Sequence, residues 1–76
     1  MNTNLLKSKR VAAGLTQSAA ANLVGLGLSR YCLKENGKCP FRVSEIRTMV
    51  KAYDLTMDDV NDIFFDGELP KSNVLA

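Results

Sequence analysis

One glycine-punctuated segment, TQSAAANLVGLGLSRYCLKENGK over residues 16–38, restricts the possible folds of this chain most strongly. Thr16 can cap a helix with its hydroxyl, and the three alanines that follow shortly after it favour helix formation. Gly25 can adopt the positive φ that ends a helix, and the Asn36-Gly37 pair can end a second one. The segment therefore predicts two short helices joined by a tight turn and lying close to perpendicular, which is a helix-turn-helix unit.

Three further short helices are predicted around this unit from the spacing of apolar residues. The first begins at a Thr3 or Asn4 cap and ends near Ala13. The fourth covers about 43–53, and the fifth, with two aspartates in its first turn, covers about 57–65. The pattern predicts an all-α fold of five helices in which the helix-turn-helix unit forms helices 2 and 3.

The composition restricts the chain to one small domain and argues against several classes of functional site. A length of 76 residues leaves no room for a second domain, and no apolar run is long enough to cross a membrane. No signal segment opens the chain, so the expected location is the cytoplasm, with the nucleoid. Cys32 and Cys39 are too few for a disulfide framework and are expected to be free thiols. Because the chain has no histidine, neither a metal site nor a histidine-based active site is supported, and we expect no cofactor and no enzyme activity.

The charged residues are unevenly distributed along the chain. Residues 1–42 contain seven basic residues and one acidic residue, a net charge of +6, whereas residues 43–76 contain three basic and seven acidic residues, a net charge of −4. Both halves could simply present solvated surfaces. Because the basic half contains the helix-turn-helix unit, the pattern favours a domain that is oriented on a polyanion such as DNA.

Several motifs in and around the unit match one known family. They are the Thr16-Gln17 pair, the run AANLVG, Tyr31, the run Glu35-Asn36-Gly37-Lys38 and, upstream, Lys7-Ser8-Lys9-Arg10. Together with the region 41–65, they make residues 4–65 similar to the Cro/C1-type (XRE-type) helix-turn-helix family of bacterial and prophage regulators. The resemblance implies a compact lambda-repressor-like domain that binds double-stranded DNA. A homodimer is expected, because one such domain buries too little surface for tight specific binding.

The resemblance also implies which side chains meet the DNA. In the second helix of the unit, over 28–35, the positions that face the major groove hold Leu28, Ser29, Arg30 and Leu33. Arg30 can read guanine with two hydrogen bonds, and the two leucines can contact thymine methyl groups. Contacts with the DNA phosphates are assigned to Arg10, Gln17, Ser18, Asn36, Lys38 and Arg42. The family pattern also implies an ion pair between Arg10 and Glu35.

The chain departs from the family at several positions of the unit. Tyr31 and Lys34 stand where the family usually buries apolar residues. Tyr31 can fill such a site with its ring, whereas Lys34 is expected to lay its stem across the core and keep its charge in water. Ala20 is smaller than the usual leucine, so Leu23 or Leu26 is expected to fill the space that it leaves.

The connection before the fourth helix departs from the family as well. Phe41 is expected to be a core aromatic residue under the loop. Family members often have threonine where Arg42 stands, and an arginine side chain cannot accept the capping hydrogen bond. Ser44 is therefore the expected cap, which would shorten the helix.

Alternatives stay open for the leucines and for the end of the chain. Leu28 and Leu33 could belong to the core or to a protein interface. If Leu28, Tyr31 and Leu33 form one apolar face, the domain could be a protein-interaction module that binds an antirepressor or a toxin. Steep loss of affinity with salt would indicate DNA instead.

The expected domain covers 1–65, and 66–76 is expected to be a tail that is flexible or contacts a partner subunit.

Overall fold

Five α-helices make up residues 1–67, the part of the chain that the computed structural model describes. They are α1 (Thr3–Ala12), α2 (Gln17–Val24), α3 (Leu28–Glu35), α4 (Val43–Ala52) and α5 (Met57–Phe64). No strand occurs in these 67 residues. The prediction of an all-α fold with the helix-turn-helix unit at the second and third helices is confirmed. Most of the expected tail, residues 68–76, lies outside the described residues.

Side-chain caps determine where α1 and α2 begin. The Asn2 Oδ1 atom accepts a hydrogen bond from the Leu5 backbone N–H at 3.0 Å, so Asn2 caps α1 in place of the expected Thr3 or Asn4. Thr16 Oγ1 accepts from the backbone N–H three residues later at 3.1 Å, which confirms the predicted cap of α2. Each cap satisfies one of the N–H groups that a helix leaves unpaired at its start.

Acidic residues in the first turn determine the starts of α4 and α5. Thr56 and Asp59 form a reciprocal capping box, with hydrogen bonds of 3.1 and 2.9 Å. At α4 only half of such a box forms: Glu45 Oε1 accepts from the Arg42 backbone N–H at 2.8 Å, and the arginine side chain has no acceptor to return the bond. Ser44 lies inside α4, so its predicted role as the cap was wrong.

The turn between α2 and α3 depends on Gly25, which has a φ of +78°. The backbone N–H groups of Gly25 and Leu26 donate to the carbonyls of Asn22 and Ala21 at 3.2 and 2.9 Å, which closes the end of α2. Gly27 has an ordinary φ of −69° and is the N-cap of α3, where it offers no side-chain acceptor. The chain thus passes from α2 to α3 within three residues.

The hydrophobic core draws side chains from all five helices. Its buried apolar residues are Leu6, Ala20, Ala21, Tyr31, Met49, Tyr53, Leu55, Val60 and Ile63. Phe41 packs edge-on against Tyr31 and Phe64, with ring centroids 6.0 and 5.9 Å apart, as expected of a core aromatic. Of the two leucines expected to fill the space beside Ala20, Leu26 packs against the core, whereas Leu23 is 51% exposed and does not.

Serine substitutions at the two glycines of the turn should change the free energy of unfolding in opposite directions. A Cβ atom at either position would meet no atom within 4 Å, so only backbone conformation and capping differ. Gly25→Ser should destabilise the domain by about 1 kcal/mol, because it places a side chain at positive φ. Gly27→Ser should be neutral or stabilising by about 0.3 kcal/mol, because serine can cap α3. Urea unfolding followed by circular dichroism measures both, and equal losses would contradict this explanation of the turn.

Candidate nucleic-acid interface

Helix α3 has one buried face and one exposed face. Its buried residues are Tyr31, Lys34 and Glu35. Its exposed residues include the four that were predicted to face the major groove: Leu28, Ser29, Arg30 and Leu33. The surface that a DNA duplex could reach on α3 therefore presents one guanidinium, one hydroxyl and two aliphatic side chains.

The buried face of α3 is held by the Glu35 carboxylate, whose residue has 0% exposed surface. Glu35 Oε2 accepts from Arg10 Nε and from Tyr31 Oη, each at 2.8 Å, and Oε1 accepts from Gln17 Nε2 at 3.0 Å. Burial alone would raise the pKa of Glu35, but the hydrogen bonds from these three donors outweigh it and hold the pKa below its ordinary value. One ionised carboxylate thus joins α1, α2 and α3.

A second tyrosine extends this network to the end of α4. The Oη atoms of Tyr31 and Tyr53 are 2.6 Å apart. Because Tyr31 gives its only proton to Glu35, Tyr53 must donate to Tyr31. Burial, with the hydrogen bonds to Tyr53 and Glu35, raises the pKa of Tyr31, so the phenol keeps its proton at neutral pH. The chain of hydrogen bonds from Tyr53 through Tyr31 to Glu35 therefore fixes the orientation of α3 relative to the end of α4.

The same network limits what Arg10 and Gln17 can offer to DNA. The Arg10 side chain is 12% exposed, and its Nη1 also donates to the Leu15 carbonyl at 2.7 Å. The structure therefore places Arg10 against Glu35 and leaves its guanidinium little surface for a phosphate. Gln17 likewise turns its amide nitrogen toward Glu35. The geometry favours a positioning role for Arg10 over the predicted phosphate contact.

A buried ion pair connects α3 to the start of α4. Lys34 Nζ lies 2.8 and 3.1 Å from the two carboxylate oxygens of Glu45, and both side chains are less than a tenth exposed. The expectation that Lys34 keeps its charge in water was wrong, because the carboxylate of Glu45 meets it inside the fold. Burial would raise the pKa of Glu45, but hydrogen bonds from the Lys34 ammonium and the Arg42 backbone hold it below its ordinary value.

The remaining predicted phosphate contacts lie at two places beside α3. Ser18 is exposed in the first turn of α2, and Asn36, Lys38 and Arg42 are exposed in the connection that leads from α3 to α4. Within residues 1–67, Lys38 and Arg42 take part in no ion pair, and neither does Arg30. In this part of the chain, the charges of these three side chains on and after α3 are therefore not paired with a carboxylate.

Ion pairs between the two halves of the chain reduce the charge asymmetry seen in the sequence. Lys9 Nζ lies 3.3 Å from Asp59 Oδ2, and the Lys34 charge is met by Glu45. Arg10 is neutralised within its own half by Glu35. The basic side chains that take part in no ion pair within residues 1–67 are thus fewer than the basic residues of the sequence, and they include Arg30 on α3 and Lys38 and Arg42 in the connection that follows it.

Comparison with known families agrees with this geometry. The family model described as "Helix-turn-helix domain" matches residues 4–63, which is most of the chain. The chain belongs to the helix-turn-helix domain family. This membership indicates DNA binding, and the family is typically non-enzymatic. No curated protein and no solved structure gives a significant match.

Other features of this helix-turn-helix domain concern membranes, metals and thiols. None of the helices in residues 1–67 combines the length and the apolar character needed to cross a membrane. In the same part of the chain, no three His, Cys, Asp or Glu side chains are grouped so that they could hold a metal ion. Cys32 and Cys39 are half-buried free thiols, as predicted.

The substitution Glu35→Gln should destabilise the domain by about 3 kcal/mol near neutral pH, because it removes the buried charge that Arg10 needs. It also turns one of the two accepting oxygens into an amide N–H group, which then faces one or two of the three donors. Because the pKa of Glu35 is lowered by folding, its contribution is complete above the ordinary glutamate pKa and is lost as the pH falls through the lowered value. The stability gap between wild type and variant should therefore narrow below about pH 4.

Chemical denaturation at a series of pH values measures this gap. Asp62→Asn is the matched control, because Asp62 is an exposed carboxylate in α5 and should change stability by less than about 0.5 kcal/mol. A gap of the same size at all pH values would mean that the ionised form of Glu35 is not what stabilises the fold.

Proposed function

We propose that this domain binds double-stranded DNA sequence-specifically and acts as a small transcriptional regulator of the Cro/C1 type, of bacterial or phage origin. The observation that carries the proposal is the division of α3 into two faces. Its buried face is tied by hydrogen bonds and an ion pair to α1, α2 and α4. Its other face is exposed and, with the connection that follows α3, carries three cations that take part in no ion pair within residues 1–67. An exposed α-helix of this kind fits the major groove.

In the proposed complex the side chains divide into two roles. Arg30 makes two hydrogen bonds to a guanine, and Ser29 bonds a base edge or a phosphate. Lys38 and Arg42, with Ser18 and Asn36, contact phosphates on either side of the groove, where they fix position but carry no sequence information. Gln17 can still offer a phosphate the second hydrogen of its amide, because only one is used by Glu35.

The proposed regulator acts as a homodimer. A single domain of this size buries too little surface on DNA for tight specific binding, whereas two copies double the contacts. A two-fold symmetric dimer would bind two half-sites about one helical turn, roughly 34 Å, apart. Occupation of such an operator would then control transcription.

Selection of bound fragments from a random duplex library tests the proposal directly. Enrichment of an inverted repeat with half-sites about 10 base pairs apart would support both DNA recognition and the dimer. The affinity of the selected duplex should then fall steeply with salt, with a slope of about −0.9 per neutralised phosphate. Failure to enrich any motif, with no salt-dependent binding to duplex DNA, would reject the proposal.

A second candidate function rests on the exposed leucines of α3. Leu28 and Leu33 are 48% and 45% exposed and could contact another protein, such as an antirepressor or a toxin. Tyr31 cannot belong to that surface as predicted, because it is completely buried. A protein complex held by these leucines would be nearly insensitive to salt, unlike a complex with DNA.

Arg30→Ala and Lys38→Ala should weaken DNA binding in different ways. Arg30→Ala should reduce the preference for the selected site over random duplex by about 5- to 150-fold, because it removes the guanine contact. Lys38→Ala should weaken both complexes by the same factor and make the salt slope shallower by about one. Fluorescence anisotropy with the two duplexes at several salt concentrations measures both effects. Equal losses of specific and random binding in both variants would contradict the assigned roles.

A further inference from the structure

We infer that Lys34 and Glu45 are positioning residues for DNA binding, which hold the connection between α3 and α4 against α3. This connection, residues 36–42, carries Lys38 and Arg42, the two cations proposed to contact phosphates. The inference rests on the proposed function and adds to it the contacts that set where those two cations stand relative to α3. Lys34 and Glu45 are both buried, so they act on DNA only through the connection.

Each cation of the connection stands at an anchored position of the backbone. The Lys38 N–H donates to the Leu33 carbonyl at 2.9 Å, which fixes the start of the connection to the last turn of α3. The Arg42 N–H donates to Glu45 Oε1 at 2.8 Å, which fixes the end of the connection to the first turn of α4. A backbone that is held at both positions limits where the two long side chains can reach.

A single oxygen atom joins the second anchor to α3. Glu45 Oε1 accepts from the Arg42 N–H and also from Lys34 Nζ, each at 2.8 Å. Because Lys34 belongs to the last turn of α3, the far end of the connection is tied back to the turn from which the connection starts. The Glu45 carboxylate thus closes residues 34–45 into a loop.

An aromatic contact holds the connection just before the second anchor. The Phe41 ring packs edge-on against the ring of Tyr31, on the buried face of α3, with the centroids 6.0 Å apart. Aromatic pairs of this kind tolerate centroid distances from about 4.5 to 7 Å. Hydrogen bonds between N–H groups and oxygens are confined to about 2.7–3.2 Å. The position of Arg42 is therefore set more narrowly by Glu45 than by the neighbouring ring.

The ionic character of the Lys34–Glu45 pair is better explained by positioning than by stability. Removal of two charges from water offsets much of their mutual attraction, so apolar residues of similar size can commonly replace a buried ion pair without loss of stability. An apolar side chain, however, cannot accept the Arg42 N–H. A carboxylate can accept it and the Lys34 ammonium at the same time.

The Lys34 charge has a second effect near the proposed phosphate contacts. Glu45 accepts from the backbone of Arg42, so its carboxylate lies beside one of these contacts. An unpaired carboxylate at that place would repel a phosphate. The ammonium of Lys34, with Nζ 2.8 and 3.1 Å from the two carboxylate oxygens, compensates this charge. The pair therefore anchors the connection without adding net negative charge beside it.

The double substitution Lys34→Met with Glu45→Leu tests the inference in the full chain, because it removes the anchor and keeps the net charge. We expect the variant to stay folded. It should bind the selected duplex and random duplex about 2- to 10-fold more weakly than wild type, which corresponds to the ordering cost of one or two freed side chains. Both duplexes should lose the same factor, since phosphate contacts carry no sequence information. Fluorescence anisotropy measures the affinities, and urea unfolding followed by circular dichroism verifies the fold.

Lys9→Met with Asp59→Asn is the matched control. It also keeps the net charge, and it removes the ion pair between α1 and α5, in which Lys9 Nζ lies 3.3 Å from Asp59 Oδ2. Asparagine keeps a side-chain oxygen that can accept from the Thr56 N–H, as Asp59 does in the capping box. The affinity for both duplexes should change by less than about twofold.

A double-mutant cycle shows whether the anchor acts through Arg42. Arg42→Ala should weaken duplex binding by the wild-type chain. The same substitution should cost at least about twofold less in the Lys34→Met, Glu45→Leu variant, where Arg42 is no longer held. Amide hydrogen exchange gives a measurement without DNA: the Arg42 N–H should exchange at least about fivefold faster in this variant than in wild type or in the control.

A single substitution takes over if the double variant does not fold. Lys34→Met alone leaves the Glu45 carboxylate uncompensated beside the connection, whereas Lys9→Met removes the same charge from α1. Lys34→Met should therefore weaken binding to both duplexes at least about threefold more than Lys9→Met does.

The measurements separate the possible outcomes. Equal weakening on both duplexes, with a reduced cost of Arg42→Ala, supports the inference. Unchanged affinity, or the same cost of Arg42→Ala with and without the pair, would overturn it and leave the pair as a stabilising contact alone. A loss confined to the selected duplex would also overturn it, because the pair would then orient α3 itself. Absence of duplex binding by the wild-type chain would overturn the proposed function and with it the DNA-binding role of the pair, whereas amide exchange would still show whether Glu45 holds Arg42.

Discussion

The structure depends on a carboxylate that is completely buried and still ionised. Removal of Glu35 from water is costly by several kcal/mol, and only donors with good geometry can offset such a cost. Arg10, Gln17 and Tyr31 supply three of them from three different helices. Because these donors come from three helices, α1, α2 and α3 must pack so that all three reach the same carboxylate. The helix-turn-helix geometry is therefore determined by hydrogen bonding as much as by apolar packing.

This rigidity has a direct bearing on recognition. A helix that is held on its buried face by Glu35, Tyr31 and Lys34 presents its exposed side chains in a fixed orientation before any ligand arrives. Preorganisation of this kind reduces the ordering cost of association. In the part of the chain that the structure describes, Arg30 on this face and Lys38 and Arg42 after it take part in no ion pair. The charges of Arg10 and Lys34 are instead paired inside the fold. Some basic side chains of this domain thus hold α3 in position, and others are available to attract a polyanion.

Much of the fold could be predicted from local chemistry, although the caps of α1 and α4 were placed wrongly by one or two residues. The errors in the buried polar network have a different cause. The caps at Thr16 and Thr56 and the break at Gly25 act within a few residues of sequence, so their patterns are readable. The Lys34–Glu45 pair is long-range: nothing near Lys34 in sequence shows that a carboxylate eleven residues later will meet it. Gln17 was missed as a partner of Glu35 for the same reason. The exposed face of α3 could be placed only by resemblance to a family, and its contacts with DNA remain predictions.

The division of α3 has a consequence for how such domains diversify. Leu28, Ser29, Arg30 and Leu33 take no part in the buried network, and exposed substitutions away from special features usually change stability by no more than about 0.5 kcal/mol. Under the proposed function, the sequence preference of the domain can therefore evolve, or be redesigned, almost independently of its thermodynamic stability. A library randomised at these four codons should yield mostly folded proteins.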